Sequence, residues 1–187
     1  KELKMDKFFT FNRVTFIGFG LINSSLARVF KSKSLANEIC AYSRRKQTLL
    51  KIKELNIADY IYDDVKQSVK NSDLIILGVP VGVMSSLVQE FASSLKSDAI
   101  ITDVGSIKKG LIDSISLVLP KGVHFVPGHP IAGTENSGPE SGFEDLFKGR
   151  WCILTPTKNT SKDAIKKVDY MWQQAGMKVS IMDAEYH

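Results

Sequence analysis

The ten residues VTFIGFGLIN, numbered 14–23, decide the fold of this chain. A β-branched and aromatic run ends at Gly18, and apolar or small residues then recur at helical spacing as far as residue 30. This pattern predicts a strand, a tight turn and a helix. Gly18 and Gly20 match the first two glycines of GxGxxG: the first permits the turn, and the second lets the backbone approach a pyrophosphate at the helix N-terminus. The stretch therefore predicts a dinucleotide-binding turn, with Leu21 and Ile22 at its helical end.

Asn23 stands in the place of the third glycine of that motif. A glycine there normally allows close packing of the helix on the strand. We therefore expect either a helix slightly farther from the sheet or an Asn23 side chain that contacts the phosphates. An ordinary glycine turn is the alternative to dinucleotide binding. The position of the turn, after a predicted strand and at the start of a predicted helix, favours the dinucleotide.

Strands and helices alternate along the rest of the chain. The run LIILGV at 74–79 is the most continuous apolar segment, which is typical of a central parallel strand buried on both faces. Other strands are expected at 14–17, 39–42, 60–62, 99–102 and 124–126, and helices at 21–30, 45–55, 65–69, 82–95 and 107–119. This alternation predicts an α/β fold with a doubly wound, mostly parallel sheet, a dinucleotide-binding domain of the Rossmann type.

The segment from residue 128 onward extends this core. The residues WCIL at 151–154 are strand-like, and residues 159–161 offer helix caps before a periodic apolar segment that ends at Gly176. A last strand is expected at 178–182. The predicted organisation is an N-terminal extension at 1–12 and one dinucleotide-binding domain at 13–187, with a core at 13–127 and a catalytic loop, further strands and a helix at 128–187.

Charge and composition narrow the functional classes. The net charge of +5 comes from lysines scattered among acidic residues, so we expect a solvated surface and no nucleic-acid partner. No apolar run approaches a membrane span and no signal-peptide pattern precedes the first strand, so a soluble, cytoplasmic protein is expected. Cys40 and Cys152 lie in apolar runs, which predicts buried, reduced thiols. No metal-ligand spacing occurs, and no metal is expected.

The residues after the second predicted strand bear on which dinucleotide binds. An NAD-selective fold presents an Asp or Glu there to the ribose 2′-hydroxyl, whereas cationic side chains accommodate a 2′-phosphate. This chain has Ser43, Arg44 and Arg45 instead of a carboxylate. A hydroxyl with two guanidinium groups suits a phosphate dianion, so the sequence favours NADP over NAD. Two alternatives stay open: the arginines only begin the next helix, or adjoining loops admit NAD.

Three segments follow predicted strands and fall at the carboxyl edge of the sheet, where doubly wound folds bind their ligands. They are GVPV at 78–81, DVGSIK at 103–108 and GHPIAGTE at 128–135. His129 stands between a glycine and a proline in a predicted loop. Its imidazole titrates near neutral pH and can accept a proton from a reacting hydroxyl, which makes His129 a candidate acid or base. A structured turn is the alternative.

At these residues the sequence resembles the prephenate dehydrogenases and their relatives that use arogenate, from Val14 to His187. The segments DVGSIK and GHPIAGTE, the latter followed by Ser137-Gly138, carry the resemblance. It implies an enzyme for the oxidative decarboxylation of prephenate to 4-hydroxyphenylpyruvate, or of arogenate to tyrosine, with NADP or NAD as hydride acceptor. Ser43 departs from the pattern, because many members carry an acidic residue there.

The resemblance also implies roles for individual residues. His129 would hydrogen-bond the hydroxyl at the carbon that loses hydride, and Ser106 would hold that hydroxyl and orient His129. Thr134 and Glu135 would line or gate the substrate pocket. The remaining matches are Gly18 and Gly20 with the pyrophosphate turn, and Val79 and Pro80 with a wall of the cofactor cleft. Alternatives are that Ser106 caps a helix starting at residue 107 and that Glu135 is a solvated loop charge.

Members of the family have a helical C-terminal domain that mediates dimerisation and supplies an arginine for the substrate carboxylates. The resemblance implies that this domain is absent here, that the chain is the N-terminal part of a longer homodimeric enzyme, and that alone it binds cofactor but turns over poorly. Rival interpretations are a non-catalytic dinucleotide-sensing module and another oxidoreductase, such as a β-hydroxyacid dehydrogenase. A sensor needs neither His129 nor Ser106, and the β-hydroxyacid enzymes rely on a lysine from a later helical domain.

Overall fold

A computed structural model describes residues 9–106, 108–132 and 138–183, and in them a six-stranded parallel sheet forms the centre of the fold. Its strands are β1 (Phe11–Ile17), β2 (Ala36–Tyr42), β3 (Tyr60–Tyr62), β4 (Leu74–Leu77), β5 (Ile100–Asp103) and β6 (His124–Val126). Their order across the sheet is β3-β2-β1-β4-β5-β6. The chain winds outward from β1 to one edge and then from β4 to the other. The predicted doubly wound, Rossmann-type fold is therefore confirmed.

Helices cover both faces of this sheet. They are α1 (Leu21–Lys33), α2 (Lys46–Glu54), α3 (Val65–Val69), α4 (Val81–Phe91), α5 (Lys109–Val118) and α6 (Lys162–Gln174). Because side chains of a strand alternate between faces, Leu74 and Ile76 of β4 pack in one core with α1, α2 and α6, while Ile75 and Leu77 pack in a second core with α3, α4 and α5. None of the helices in the described ranges is long and apolar enough to cross a membrane.

A second sheet of three strands follows the core: β7 (Gly128–Pro130), β8 (Trp151–Leu154) and β9 (Lys178–Ile181). Strand β7 is antiparallel to β8, with His129 opposite Ile153. The prediction of a loop at His129 is therefore wrong. The three residues Gly-His-Pro carry no strand periodicity of their own, and they become extended because β8 supplies hydrogen-bonding partners.

Several element ends also differ from the predictions. Strand β1 begins at Phe11, whose ring is buried and whose N–H bonds to the carbonyl of Leu35, so the predicted boundary at residue 13 lies inside a strand. Strand β4 ends at Leu77 and helix α5 begins at Lys109, which leaves longer turns at the carboxyl edge than the apolar runs suggested. Cys40 and Cys152 are buried free thiols, and burial raises the pKa of Cys40 to about 11.

Candidate functional site

The turn between β1 and α1 has the geometry that the two glycines predict. Gly18 has a φ of +84°, and a Cβ there would lie 2.9 Å from Cγ1 of Val79. Gly20 is the N-cap residue of α1, and among the described residues nothing would meet a Cβ there within 4 Å. The first glycine is therefore required by backbone and packing, whereas the second leaves the helix N-terminus open to a ligand.

Asn23 forms side-chain hydrogen bonds with the protein backbone. Its side chain is buried, and its amide Nδ2 donates to the carbonyl oxygens of Gly18 at 3.0 Å and Ile76 at 3.2 Å. The amide lies directly against Gly78, where a Cβ would overlap with it. Asn23 thus ties α1 to the ends of β1 and β4 through its amide donor.

A first cavity of about 530 Å³ runs from this turn towards the end of β2. Its walls bring together seven of the residues predicted to bind the cofactor: Gly18, Gly20, Ser43, Arg44, Arg45, Val79 and Pro80. The Ser43 hydroxyl accepts the N–H of Arg45 at 3.2 Å, which fixes the turn that presents the two arginines. Arg44 and Arg45 are exposed and make no ion pair within the part of the chain that the structure describes. Their charges are available to an anion.

A second cavity of about 300 Å³ adjoins the first along the carboxyl edge. The two share Gly20, Gly78 and Val79 in their walls. The second is completed by Leu21, Ile22, Asn23, Val104, Gly105 and Ala132. The two adjoin in a depression at the N-terminus of α1, an arrangement that suits a ligand with two ends and a central anion.

A buried ion pair lies beneath this depression. Asp103, at the end of β5, accepts the N–H of Gly105 at 3.0 Å and the N–H of Gly128 at 3.1 Å, and it forms an ion pair with Lys108. The side chains of Asp103 and Lys108 are 0% and 1% exposed. Burial raises the pKa of Asp103 and lowers that of Lys108, while each charge offsets that effect on the other. The carboxylate therefore joins the turn after β5 to the start of β7.

These two segments carry the predicted catalytic residues. Ser106 directly follows Gly105 and is exposed, and His129 directly follows Gly128 and is half-buried in β7. Ser106 does not cap a helix starting at residue 107, because α5 begins at Lys109 with Lys108 as its N-cap residue. Thr134 and Glu135 lie outside the described residues.

No role was predicted for Asp103, Lys108 or the segment after residue 137 from the sequence. Asp103 and Lys108 stand inside the DVGSIK segment, but the sequence did not reveal that both are buried or that Asp103 bonds to the start of β7. Gly138 and Pro139 line the first cavity. The glycine-proline pair was the available signal for a fixed turn there.

Comparisons with known proteins agree with this geometry. A family model described as "Prephenate dehydrogenase, nucleotide-binding domain" matches residues 26–181. The cyclohexadienyl dehydrogenase of Zymomonas mobilis is 37% identical over 177 residues, which are 95% of this chain and 60% of that protein.

Two solved structures are similar in both sequence and fold. Prephenate dehydrogenase from A. aeolicus, in complex with hydroxyphenyl propionate and NAD+, superposes with a TM-score of 0.89 at 32% identity, covering 97% of this chain and 63% of that one. Synechocystis arogenate dehydrogenase gives a TM-score of 0.86 at 26% identity, covering 94% and 61%. The chain thus spans about three-fifths of the length of these relatives.

Proposed function

Because this chain belongs to the prephenate dehydrogenase family, we propose that it forms the dinucleotide-binding part of an enzyme that oxidatively decarboxylates prephenate. The observation that carries this proposal is the Asp103 carboxylate, which bonds the N–H groups directly preceding Ser106 and His129 in the chain. Neighbouring Cα atoms are about 3.8 Å apart, so one buried group fixes the backbone of both predicted catalytic residues.

A nicotinamide dinucleotide would span these two adjoining cavities. The open backbone at Gly20 and the N-terminus of α1 would hold the pyrophosphate. The first cavity, with Ser43 and Arg44 in its wall, would take the adenosine half, and the second, bounded by Val104 and Ala132, the nicotinamide half. When bound, this cofactor supplies the hydride acceptor.

His129 is proposed as the general base. In its neutral form its imidazole accepts the proton of the substrate hydroxyl, which becomes more acidic as the adjacent carbon loses hydride. Ser106 holds that hydroxyl and orients the imidazole. Placement of His129 in a paired strand fixes its backbone on both sides, since the N–H of Gly128 bonds to Asp103 and the N–H of Ile131 bonds to the carbonyl of Trp151 at 2.8 Å.

Replacing the base should lower turnover far more than cofactor affinity. His129→Asn in the natural protein that contains this sequence should reduce kcat by about 10²- to 10⁴-fold with little change in the Kd of the dinucleotide. The matched control is His124→Asn, because His124 lies on β6 beside Asp98, away from both cavities. A kcat near that of the wild type in His129→Asn would refute the base. Failure of the folded wild type to oxidise either prephenate or arogenate would refute the activity.

Arogenate is the second candidate substrate, since the relatives include an arogenate dehydrogenase. We propose that three features belong to the part of the relatives that this chain does not match. They are the groups that distinguish prephenate from arogenate, the arginine for the substrate carboxylates and the dimer contacts. Comparing kcat/KM for the two substrates in the same protein decides between them.

NADP is the proposed dinucleotide. Arg44 and Arg45 are exposed in the wall of the first cavity, and the Ser43 hydroxyl lies beside them, an arrangement that suits a 2′-phosphate. The relative solved with NAD+ makes NAD the alternative.

Removal of one guanidinium group should separate the two cofactors. Arg44→Ala should raise the Kd of NADP+ by about tenfold and leave that of NAD+ nearly unchanged, because only NADP+ carries the 2′-phosphate. Arg150→Ala is the matched control, since Arg150 is exposed and lines neither of the two cavities. Equal losses for NADP+ and NAD+ in Arg44→Ala would reject the preference. Calorimetric titration with both cofactors measures it.

A further inference from the structure

Residues 138–144, which we call the strap, run along helix α1 on the outside of the domain. The Ser24 hydroxyl donates to the carbonyl of Pro139 at 2.6 Å, and the N–H of Phe143 donates to the hydroxyl of Ser25 at 3.0 Å. At the far end the Ser32 hydroxyl donates to the carboxylate of Glu144. Three serines of one helix therefore hold the strap at successive points.

The attachment at Ser24 is buried, and its hydroxyl both donates and accepts a hydrogen bond. Ser24 is 0% exposed, and its hydroxyl accepts a hydrogen bond from Nη1 of Arg28 at 2.6 Å while it donates to Pro139. The strap lies so close to the helix that a Cβ at Gly142 would overlap with Arg28 and Ser24. The position of Pro139 is thus set by Ser24 with little room for adjustment.

The strap also borders the first cavity. Gly138 and Pro139 line it together with Phe19, Arg45 and Thr48. The far end of the strap, at Glu144, instead borders a different surface pocket with Ser32. The end of the strap at Pro139 therefore lines the first cavity, whereas the end at Glu144 does not.

We propose that the strap is the outer wall of the adenosine half of the dinucleotide site, and that Ser24 is the positioning residue that holds Pro139 in this wall. The proposal rests on the dinucleotide binding proposed above. With its carbonyl bonded to Ser24, Pro139 presents a fixed surface in the wall of the first cavity. A fixed wall favours binding because less conformational freedom is lost when the ligand enters.

The test separates the two halves of the ligand. Ser24→Ala removes the bond to Pro139 and should raise the Kd of NADP+, NAD+ and 2′,5′-ADP by about fivefold. Nicotinamide mononucleotide, which does not reach this wall, should bind as it does to the wild type. The matched control is Ser32→Ala, which removes another serine-hydroxyl attachment of the strap, the one to the Glu144 carboxylate away from the cavity, and should leave all four Kd values unchanged. Isothermal titration calorimetry gives the Kd values, and thermal unfolding gives the melting temperature of each variant.

A second variant keeps the test independent of folding. Pro139→Ala leaves the carbonyl and its bond to Ser24 in place but removes most of the ring from the wall, and it should weaken the same three ligands. Wild-type Kd values for these ligands in folded Ser24→Ala and Pro139→Ala would overturn the proposal while leaving dinucleotide binding intact. Weaker binding of nicotinamide mononucleotide by the same factor would also overturn it, since the effect would then be general. A wild type that binds none of the ligands would overturn both proposals.

Discussion

The two turns that border the candidate site are each anchored by a buried polar side chain, but one side chain donates hydrogen bonds and the other accepts them. At the β1–α1 turn the neutral amide of Asn23 donates to backbone carbonyls of β1 and β4. At the end of β5 the carboxylate of Asp103 accepts from two backbone N–H groups, and its charge is balanced by Lys108. Both side chains are buried at the same edge of the sheet, and one is neutral while the other is charged.

The difference follows from what each turn must do. A carboxylate at position 23 would stand beneath the helix N-terminus and repel the pyrophosphate that this terminus is proposed to bind, whereas an amide adds no charge. The Asp103 turn instead gathers two N–H groups from separate segments, which an acceptor with two oxygen atoms can do. Its cost is a buried charge that needs Lys108 as a partner. Substitutions at the hydrogen bonds of Asn23, which we call the neutral connection, should therefore destabilise the protein less than substitutions at the buried Asp103–Lys108 pair.

Removing the charge of Asp103 should have the largest effect. Asp103→Asn leaves Lys108 buried without a partner and should lower the free energy of unfolding by about 3–5 kcal/mol at neutral pH. Burial already lowers the pKa of Lys108, and the attraction of Asp103, which raises it, would be lost. A folded-state pKa below the unfolded value means stability that is lost as pH falls, so the deficit should be larger at pH 7 than at pH 9.5. Urea unfolding at both values measures it.

The matched control for this variant is Asp145→Asn. Asp145 also pairs with a lysine, but its side chain is 70% exposed, so the change should cost at most about 1 kcal/mol. An Asp103→Asn protein as stable as this control would contradict a structural role for the buried ion pair.

Introducing a carboxylate at the neutral connection, in Asn23→Asp, should make stability depend on pH in the opposite direction. Asn23→Asp places a carboxylate against the carbonyl oxygens of Gly18 and Ile76, so its pKa in the folded protein should be raised. Stability from a raised pKa is present at low pH and is lost as pH rises. The variant should therefore lose about 2–3 kcal/mol relative to wild type between pH 4 and pH 7. Asn159→Asp, at an exposed position, should follow the wild type. Parallel stability curves for Asn23→Asp and wild type would contradict the hydrogen bonds assigned to Asn23.

The sequence predicted most of the large sheet because the information is local. Strand β4 shows as an apolar run, the β1–α1 turn as two spaced glycines, and helix α3 (Val65–Val69) has the predicted bounds. The arginine turn after β2 followed from the predicted strand that precedes it. Such features depend on residues within one turn or one strand of each other.

The connections under the site depend on residues far apart in the chain. Asn23 bonds to a carbonyl 53 positions away, and Asp103 bonds to an N–H 25 positions away. Strand β7 exists only because it pairs with β8. No local pattern distinguishes Asn23 bonded to the sheet from Asn23 on a phosphate, or a buried Lys108 from a solvated lysine. These roles need the tertiary structure.

The smallest expected loss of stability comes from crowding the Asn23 amide against Gly78. Gly78→Ala should cost about 1–2 kcal/mol, because the added Cβ overlaps with the Asn23 amide. In an Asn23→Gly background the same change should cost much less, and a double-mutant cycle from urea unfolding gives the coupling energy. Gly82→Ala is the matched control, since among the described residues nothing lies within 4 Å of its added Cβ. Additive losses for Asn23→Gly and Gly78→Ala would mean that the amide can move aside, and the helix N-terminus would then be less rigidly joined to the sheet than the site proposed here requires.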